Sequence, residues 1–365
     1  MRRISSQRKR VLKYQKEVSM ALTERQKEIL NLLISLYARE HSPIGSKALM
    51  DSVDASSATI RNDMKALEEL GLIQKEHTSS GRVPSISGYK YYVENILQLE
   101  EMSQNELFKV MQRFDGDFYR LTDLFRAAAD TLSELTGLTS FVLNVAQQGQ
   151  TMLNFDIVLL DSHSALAIYT LSTGEIRTNQ FIVPRSLDED DLVMLKTIVI
   201  DRLLGKKIID IHYALRTEIP QVISQYFSVT ADVLKLFDVI FDGLFTDKVI
   251  ESGAQKVFEN ESEMALAHYK LFSNSQLMAQ EIRRLTADDA LRAVKFENND
   301  TFKGLTLISQ KFLIPYRGFG TLALVGPIEL DYQQLMTTMD LVAKVVTMKL
   351  TDYYRYLDGN HYEIT

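Results

Sequence analysis

SSATIRNDMKALEELGLIQKEHTSSGRVPS, residues 56–85, is the stretch whose reading decides the fold. At about 100° per residue, Ile60, Met64 and Leu67 lie within about 60° of one another and form the buried stripe of a helix over 57–70. Gly71 ends it as a C′ residue. The opposite face carries Ala58, Asn62, Lys65 and Glu69, with Thr59 and Arg61 on its two edges. Residues 72–76 read as a short strand and 77–84 as a polar hairpin before a new helix near Ser87. Upstream, Thr23 is an N-cap with Gln26 as its capping-box partner, and Leu22, Ile29, Leu33 and Leu36 line one side of a first helix. The break at 41–45 leads to Ser46, expected to cap a short second helix carrying Ala48, Leu49 and Met50. Helix, short helix, turn, helix and hairpin, in that order, make a winged helix over residues 21–92.

In such a domain the third helix enters the major groove by its N-terminal part, where small and hydrogen-bonding side chains permit close approach and acids repel phosphate. The sequence obeys this order, because Glu68 and Glu69 wait until the helix's end. Asn62, at the outward centre, suits bidentate contact with adenine, its other reading being a solvated amide. Lys65 is placed for phosphate. Arg61, at the edge, suits either phosphate or pairing with Asp63 or Glu68. Ser56, Ser57 and Thr59 combine helix capping with backbone contact. Ser46 and Lys47 are expected to meet phosphate through the second helix's N-terminus. In the wing, Thr78, Ser79, Ser80 and Arg82 surround Gly81 with hydroxyls and a guanidinium suited to the DNA backbone or minor groove, unless the hairpin is merely solvated.

Charge adds little to this. The chain of 365 residues carries a net −7; residues 1–92 hold sixteen Lys and Arg against ten Asp and Glu, but seven of those bases fall in the first twenty residues. That basic extension, residues 1–20, reads as an arm on DNA or as a solvated tail. The absence of cysteine excludes disulfides, thiolate metal sites and a cysteine nucleophile, and fits a reducing cytoplasm. No apolar run has the length of a signal peptide or a membrane span.

Three runs together, PIGSKAL (43–49), the 56–85 stretch and GYKYYVE (88–94), closely resemble the DNA-binding domain of the HrcA heat-inducible transcription repressors. LVGPIELDYQQLM (324–336) resembles the family's late signature, so the likeness covers residues 20–357. The resemblance implies a repressor of chaperone operons that binds double-stranded DNA at an inverted-repeat operator, CIRCE, as a homodimer, with help from the chaperonin GroEL. It also implies an α+β architecture in which a GAF-like α/β domain is interrupted by an inserted, mainly helical dimerisation domain.

The remaining residues agree in outline. Connector helices are expected over 87–136, with a break near 115–117. Strands follow at FVLNV (141–145), FDIVLLD (155–161), ALAIYTL (165–171) and QFIV (180–183), and again at AVKF (293–296), LTLISQKFLI (305–314) and GTLALVGPI (320–328). Two strand blocks separated by helices suggest one sheet domain, 93–184 plus 259–365, with 185–258 inserted. The insertion's helices are expected from Asp188, over 208–226 and over 231–245, with a hairpin at 248–258. A further helix over 262–284 returns the chain to the sheet, and one over 331–357 ends it. Within the insertion, Ile223, Tyr226, Phe227, Leu234, Phe237, Phe241 and Phe245 are unusually aromatic and are expected to form the dimer face.

No enzyme is expected. The six histidines are scattered, so no metal site is expected. Asp161, Ser162 and His163 have triad residue types, but neighbours on one turn cannot adopt relay geometry. Gly318-Phe319-Gly320 lacks the dinucleotide spacing, and no cofactor is implied. The rival reading is a metabolite-responsive winged-helix repressor with a GAF-type sensor domain.

Overall fold

A computed structural model describes residues 22–359 except 77–80, 101–102, 117, 119, 145–148, 162, 242–243, 245–248, 261–264, 288–289, 297–301 and 316–317. The described residues open with α1 (Glu24–Glu40), whose N-cap Thr23 and Gln26 form the expected reciprocal capping box and which buries Ile29, Leu30, Leu33 and Ile34. Next come α2 (Ser57–Glu69), the wing strands β1 (Ile73–Lys75) and β2 (Arg82–Pro84), and α3 (Ile86–Asn95). The expected second helix is absent. Residues 46–53 form successive turns whose amide hydrogen bonds reach back mostly three residues, among them Ala48 N to Gly45 O and Met50 N to Lys47 O. Only Leu49 of its three apolar residues is buried, so one side chain anchors the segment and no helical stripe exists.

The connector has two breaks, giving α4 (Gln104–Gln112) and α5 (Leu121–Thr136) after α3. A five-stranded antiparallel sheet follows, built from β3 (Thr139–Leu143), β7 (Val249–Ser252), β8 (Arg292–Phe296), β9 (Leu305–Ile314) and β10 (Gly318–Pro327) in the order β7-β3-β10-β9-β8. Alternation divides its side chains between two faces. Val142, Ile308, Phe312, Leu322 and Leu324 pack toward α5 and the last helix. Phe141, Leu143, Leu307, Ala323 and Val325 pack toward Phe272, Met278 and Ile282. Those last three belong to two helices, Ala265–Phe272 and Ser275–Leu285, where the sequence suggests one; the Asn274 side chain accepts from Leu277 N and starts the second. The last described helix, α12 in chain order, spans Tyr332–Gly359.

Between β3 and β7 lies a second body. Strands β4 (Met152–Leu159), β5 (Ser164–Leu171) and β6 (Ile176–Ile182) form their own antiparallel sheet, and α6 (Glu189–Leu203), α7 (Ile208–Thr217), α8 (Ile219–Tyr226) and α9 (Thr230–Phe241) cover one side of it. Leu143 is paired with Val249, so the chain leaves the larger sheet and rejoins it at the same rung. This differs from the sequence reading, which gave these three strands to the larger sheet and began the insertion at 185. Alternation reveals which strands exist but not which pair, and the pairing joins β4, β5 and β6 to the helices through one core, with Phe155, Tyr169 and Phe181 against Phe237 and Phe241. The Asp161 carboxylate accepts from His163 N, Ser164 N and Ser164 Oγ, which closes the β4–β5 turn and holds that acid below the usual carboxylate range. The hairpin expected at 248–258 is instead β7 followed by a 3-10 helix, Ala254–Asn260.

The winged helix does not bury its apolar residues alone. Its core residues form one continuous cluster with α5, α12 and the near face of the five-stranded sheet. At the junction Tyr89 from α3 packs against Tyr332 (centroids 5.6 Å) and Phe296 (6.4 Å), and Phe296 against Tyr332 (5.5 Å). The Tyr332 hydroxyl donates to Ile328 O at 2.7 Å, whereas the buried Tyr89 hydroxyl has no partner among the described residues.

Candidate nucleic-acid interface

The interface is built from the start of α2 outward. Ser56 is in extended conformation and its side chain accepts from Thr59 N, with its Oγ 2.9 Å from Thr59 Oγ1. Ser57 Oγ lies 3.0 Å from Ser46 Oγ, so buried Ser46 braces the helix start from the preceding turns. Because no helix begins at Ser46, the helix-terminus route to phosphate expected for Ser46 and Lys47 does not exist; Lys47 is simply an exposed lysine beside α2. Ile60, Met64 and Leu67 are buried as the stripe requires. Ala58, Arg61, Asn62, Lys65 and Glu69 are exposed, with Thr59 half-buried at the edge.

Electrostatics then sort the charges on this helix. Arg61 pairs with neither Asp63 nor Glu68, because both acids are engaged elsewhere. Asp63 is buried, with Oδ2 accepting from Arg25 Nε at 2.7 Å and Oδ1 from Gln26 Nε2 at 3.2 Å, which ties α2 to the first turn of α1. Glu68 accepts from Arg82 Nη2 at 2.7 Å and Nε at 2.9 Å, and Lys75 Nζ lies 3.9 Å away. Only the exposed pair Lys65 and Glu69, 3.8 Å apart, remains on the outer face, and such a pair contributes little to stability.

Arg82 is therefore not the free wing cation that the sequence suggested. Its side chain is 13% exposed and spends two nitrogens on Glu68, while its backbone exchanges both hydrogen bonds with Ile44 at 2.9 Å. The wing is thereby fastened at both ends. At its root Ser85 Oγ donates to Gly71 O at 2.6 Å and accepts from Gly88 N. A Cβ on Gly88 would stand 2.0 Å from Leu72 O, so only glycine lets α3 press this closely on the wing. Thr78, Ser79 and Ser80 lie outside the described residues.

The expected dimer face is also placed differently. Ile223, Phe227, Phe237 and Phe241 are buried in the insertion's own core, where Phe237 stacks on Phe241 at 5.9 Å. A side chain enclosed within its own chain has no surface to offer a partner. Leu234 is partly buried against that core, Tyr226 is 59% exposed, and Phe245 lies outside the described residues. An apolar aromatic run reads the same in sequence whether a partner or the chain itself covers it.

Sequence reasoning missed Arg25 as a site residue, the Gln26 bond to Asp63 and the pairing of Glu68 with Arg82. The available signal was Asp63: at about 60° from Ile60 and about 40° from Leu67 around the helix, an acid at that margin of the stripe requires a cation, and its position alone does not say which.

Two family models match the chain. "Winged helix-turn-helix transcription repressor, HrcA DNA-binding" covers residues 21–97, and "HrcA protein C terminal domain" covers residues 122–336. The chain belongs to the HrcA family. Proteins named "Heat-inducible transcription repressor HrcA" from Lactococcus lactis subsp. cremoris strain SK11 and subsp. lactis strain IL1403 are 64% and 63% identical over 345 residues, covering 94% of this chain and 99% of each relative. A crystal structure titled only as a hypothetical protein shares the fold, with a TM-score of 0.53 at 16% identity, covering 91% of this HrcA chain and 99% of its own. The family is one of transcription repressors, and no described helix is long and apolar enough to cross a membrane.

Proposed function

We propose that this HrcA protein is a heat-inducible repressor of chaperone operons that acts in the cytoplasm, binding the inverted-repeat operator CIRCE as a homodimer with activity assisted by GroEL. The observation that carries the DNA-binding half is the charge sorting on α2. The two acids flanking the groove-facing surface, Asp63 and Glu68, are neutralised by Arg25 and Arg82, and Glu69, at the helix's end, lies 3.8 Å from Lys65, while Asn62, Lys65 and Arg61 stay outward. In this reading Asn62 contacts a base edge, Lys65, Arg61 and Lys47 contact phosphate, and Ser56, Ser57 and Thr59 meet the backbone. Thr78, Ser79 and Ser80 approach it from the wing.

Reading the five-stranded sheet and its covering helices as a GAF-like domain, we take the inserted body between Leu143 and Val249 as the dimerising element. Support comes from apolar side chains that the helices leave uncovered. Val158, Ile176 and Ile182 stand exposed on the outer face of the three-stranded sheet, with Tyr226 exposed on α8. A palindrome read by two identical domains gives the dimer its purpose.

The test is purified protein on an operator duplex and a scrambled duplex of equal length, with and without chaperonin, titrated at rising temperature. Preference for the operator, raised by chaperonin and lost on heating, is expected. Equal affinity for both duplexes would sink the operator assignment, and indifference to chaperonin would sink that partnership alone.

A further inference from the structure

We propose that Arg25, on α1, is a DNA phosphate contact, oriented by the buried Asp63 carboxylate to border the recognition face on the side opposite Arg61. The proposal rests on the DNA-binding reading of α2.

Its first support is the division of labour within one guanidinium. Arg25 gives Nε to Asp63 Oδ2 at 2.7 Å, and neither terminal nitrogen has a partner among the described residues. The side chain remains 46% exposed, while that of Asp63 is 11% exposed. A guanidinium held through Nε presents its two terminal nitrogens as a fixed fork, the geometry that suits phosphate. Asp63 is itself fixed, because Gln26 occupies its other oxygen and is held in turn by the capping box with Thr23.

Position is the second support. Around α2, at about 100° per residue, Asp63 lies about 100° to one side of Asn62 and Arg61 about 100° to the other. Arg25 therefore stands beside Thr59 and Asp63 on one edge, and Arg61 stands on the other. A helix in the major groove, about 12 Å wide, has one phosphate backbone on each side. The two guanidiniums are placed to meet one each, which would fix the helix's rotation in the groove before any base is read.

The experiment compares wild type, Arg25→Gln and Arg25→Lys as full chains, by fluorescence anisotropy on the operator duplex and a scrambled duplex across a salt series. Glutamine keeps an amide that can donate to Asp63 while removing the charge. Arg25→Gln is expected to weaken both duplexes by a similar factor, about 5- to 10-fold near 0.1 M salt for each protomer, and to lower the slope of log affinity against log salt by about 0.9 per protomer, about 1.8 for the dimer. A wild-type slope in Arg25→Gln, measured below its unfolding midpoint, overturns the proposal and leaves Arg25 as a clasp. If Arg25→Gln does not fold, Arg25→Lys decides: losing the fork should weaken both duplexes about 2- to 5-fold with the slope retained, and affinity equal to wild type overturns the proposal. Wild-type protein that binds neither duplex in a salt-dependent way would refute the DNA-binding reading itself, which separates the two failures.

Discussion

Replacing Tyr89 with Phe should stabilise this protein, contrary to the usual cost of removing a phenol. The hydroxyl sits in the aromatic contact joining α3 to Phe296 and Tyr332, buried and without a hydrogen-bond partner among the described residues. Burial and the nearby Glu329 push its ionisation far above the ordinary tyrosine range, so it remains a neutral, desolvated dipole at any working pH. An unsatisfied buried polar group costs about 1–3 kcal/mol. Deleting it removes that cost but leaves a void of about 10 Å³, worth about 0.2 kcal/mol at about 24 cal/mol per Å³. The net gain is about 1 kcal/mol or somewhat more. With an unfolding entropy of about 2.1 cal/mol/K per residue, a cooperative unit the size of this chain would gain about 1–2 °C in midpoint. Calorimetry would read the shift, and urea titration the free energy. The temperature at which operator binding is lost should rise with it, because the same contact holds the DNA-binding domain to the body. A Phe variant destabilised by about 1 kcal/mol would show that the hydroxyl makes a hydrogen bond and would refute the reasoning.

Asn62→Ala should lower operator affinity by about 1–3 kcal/mol and relax specificity while leaving scrambled-duplex binding unchanged, and a gel-shift titration checks both. Glu68→Gln and Arg82→Ala should each weaken DNA binding with little change in salt slope, and their effects should be strongly non-additive in a double-mutant cycle, since they act through one ion pair. Phe237→Ala should cost about 3–5 kcal/mol of stability, as expected for a core aromatic, visible by denaturant titration at any protein concentration. Asp340 is desolvated, which alone would raise its pKa, but hydrogen bonds from Lys344 and Arg292 hold it below the usual range. A depressed carboxylate contributes stability above its unfolded pKa and loses it as pH falls through the folded one. Asp340→Asn should therefore cost about 1 kcal/mol near pH 7 and flatten the acid limb of the stability profile.

The elements legible in the sequence were those whose signal is local. The α1 capping box, the α2 stripe, Gly71 at its end (φ 73°) and the strands from 141 to 328 each depend on neighbours within a few positions. What was not legible depends on distance. Strand pairing decides that 152–182 belong with the helices of the insertion, and two strands of like alternation carry no mark of their partner. The cap residue Ser46 predicts a helix over 46–50, and tertiary anchoring through Leu49 and Ser46 prevails over that local cue. Within the site, exposure on α2 followed from periodicity alone. The fate of its charges did not, because Arg82 is fourteen residues from Glu68 and Arg25 thirty-eight from Asp63.

The shared core bears on how temperature can reach the DNA. A winged helix with a closed core of its own could keep its recognition surface while the rest of the chain melted. Here Tyr89, Tyr91 and Tyr92 from α3 are buried in the same cluster as Tyr332, Met339 and Val342 from α12. Separating the two would open aromatic surface on both sides, at about 25 cal/mol per Å² of apolar area. The wing root adds to the coupling, since Ser85 caps α3 and also binds Gly71 O at the end of the recognition helix. Displacing α3 from the body therefore pulls on the two residues that fix where α2 ends and the wing begins. Loss of the body's packing and displacement of α2 and the wing are thereby coupled, and the buried Tyr89 hydroxyl, without a partner among the described residues, lies within the contact that couples them.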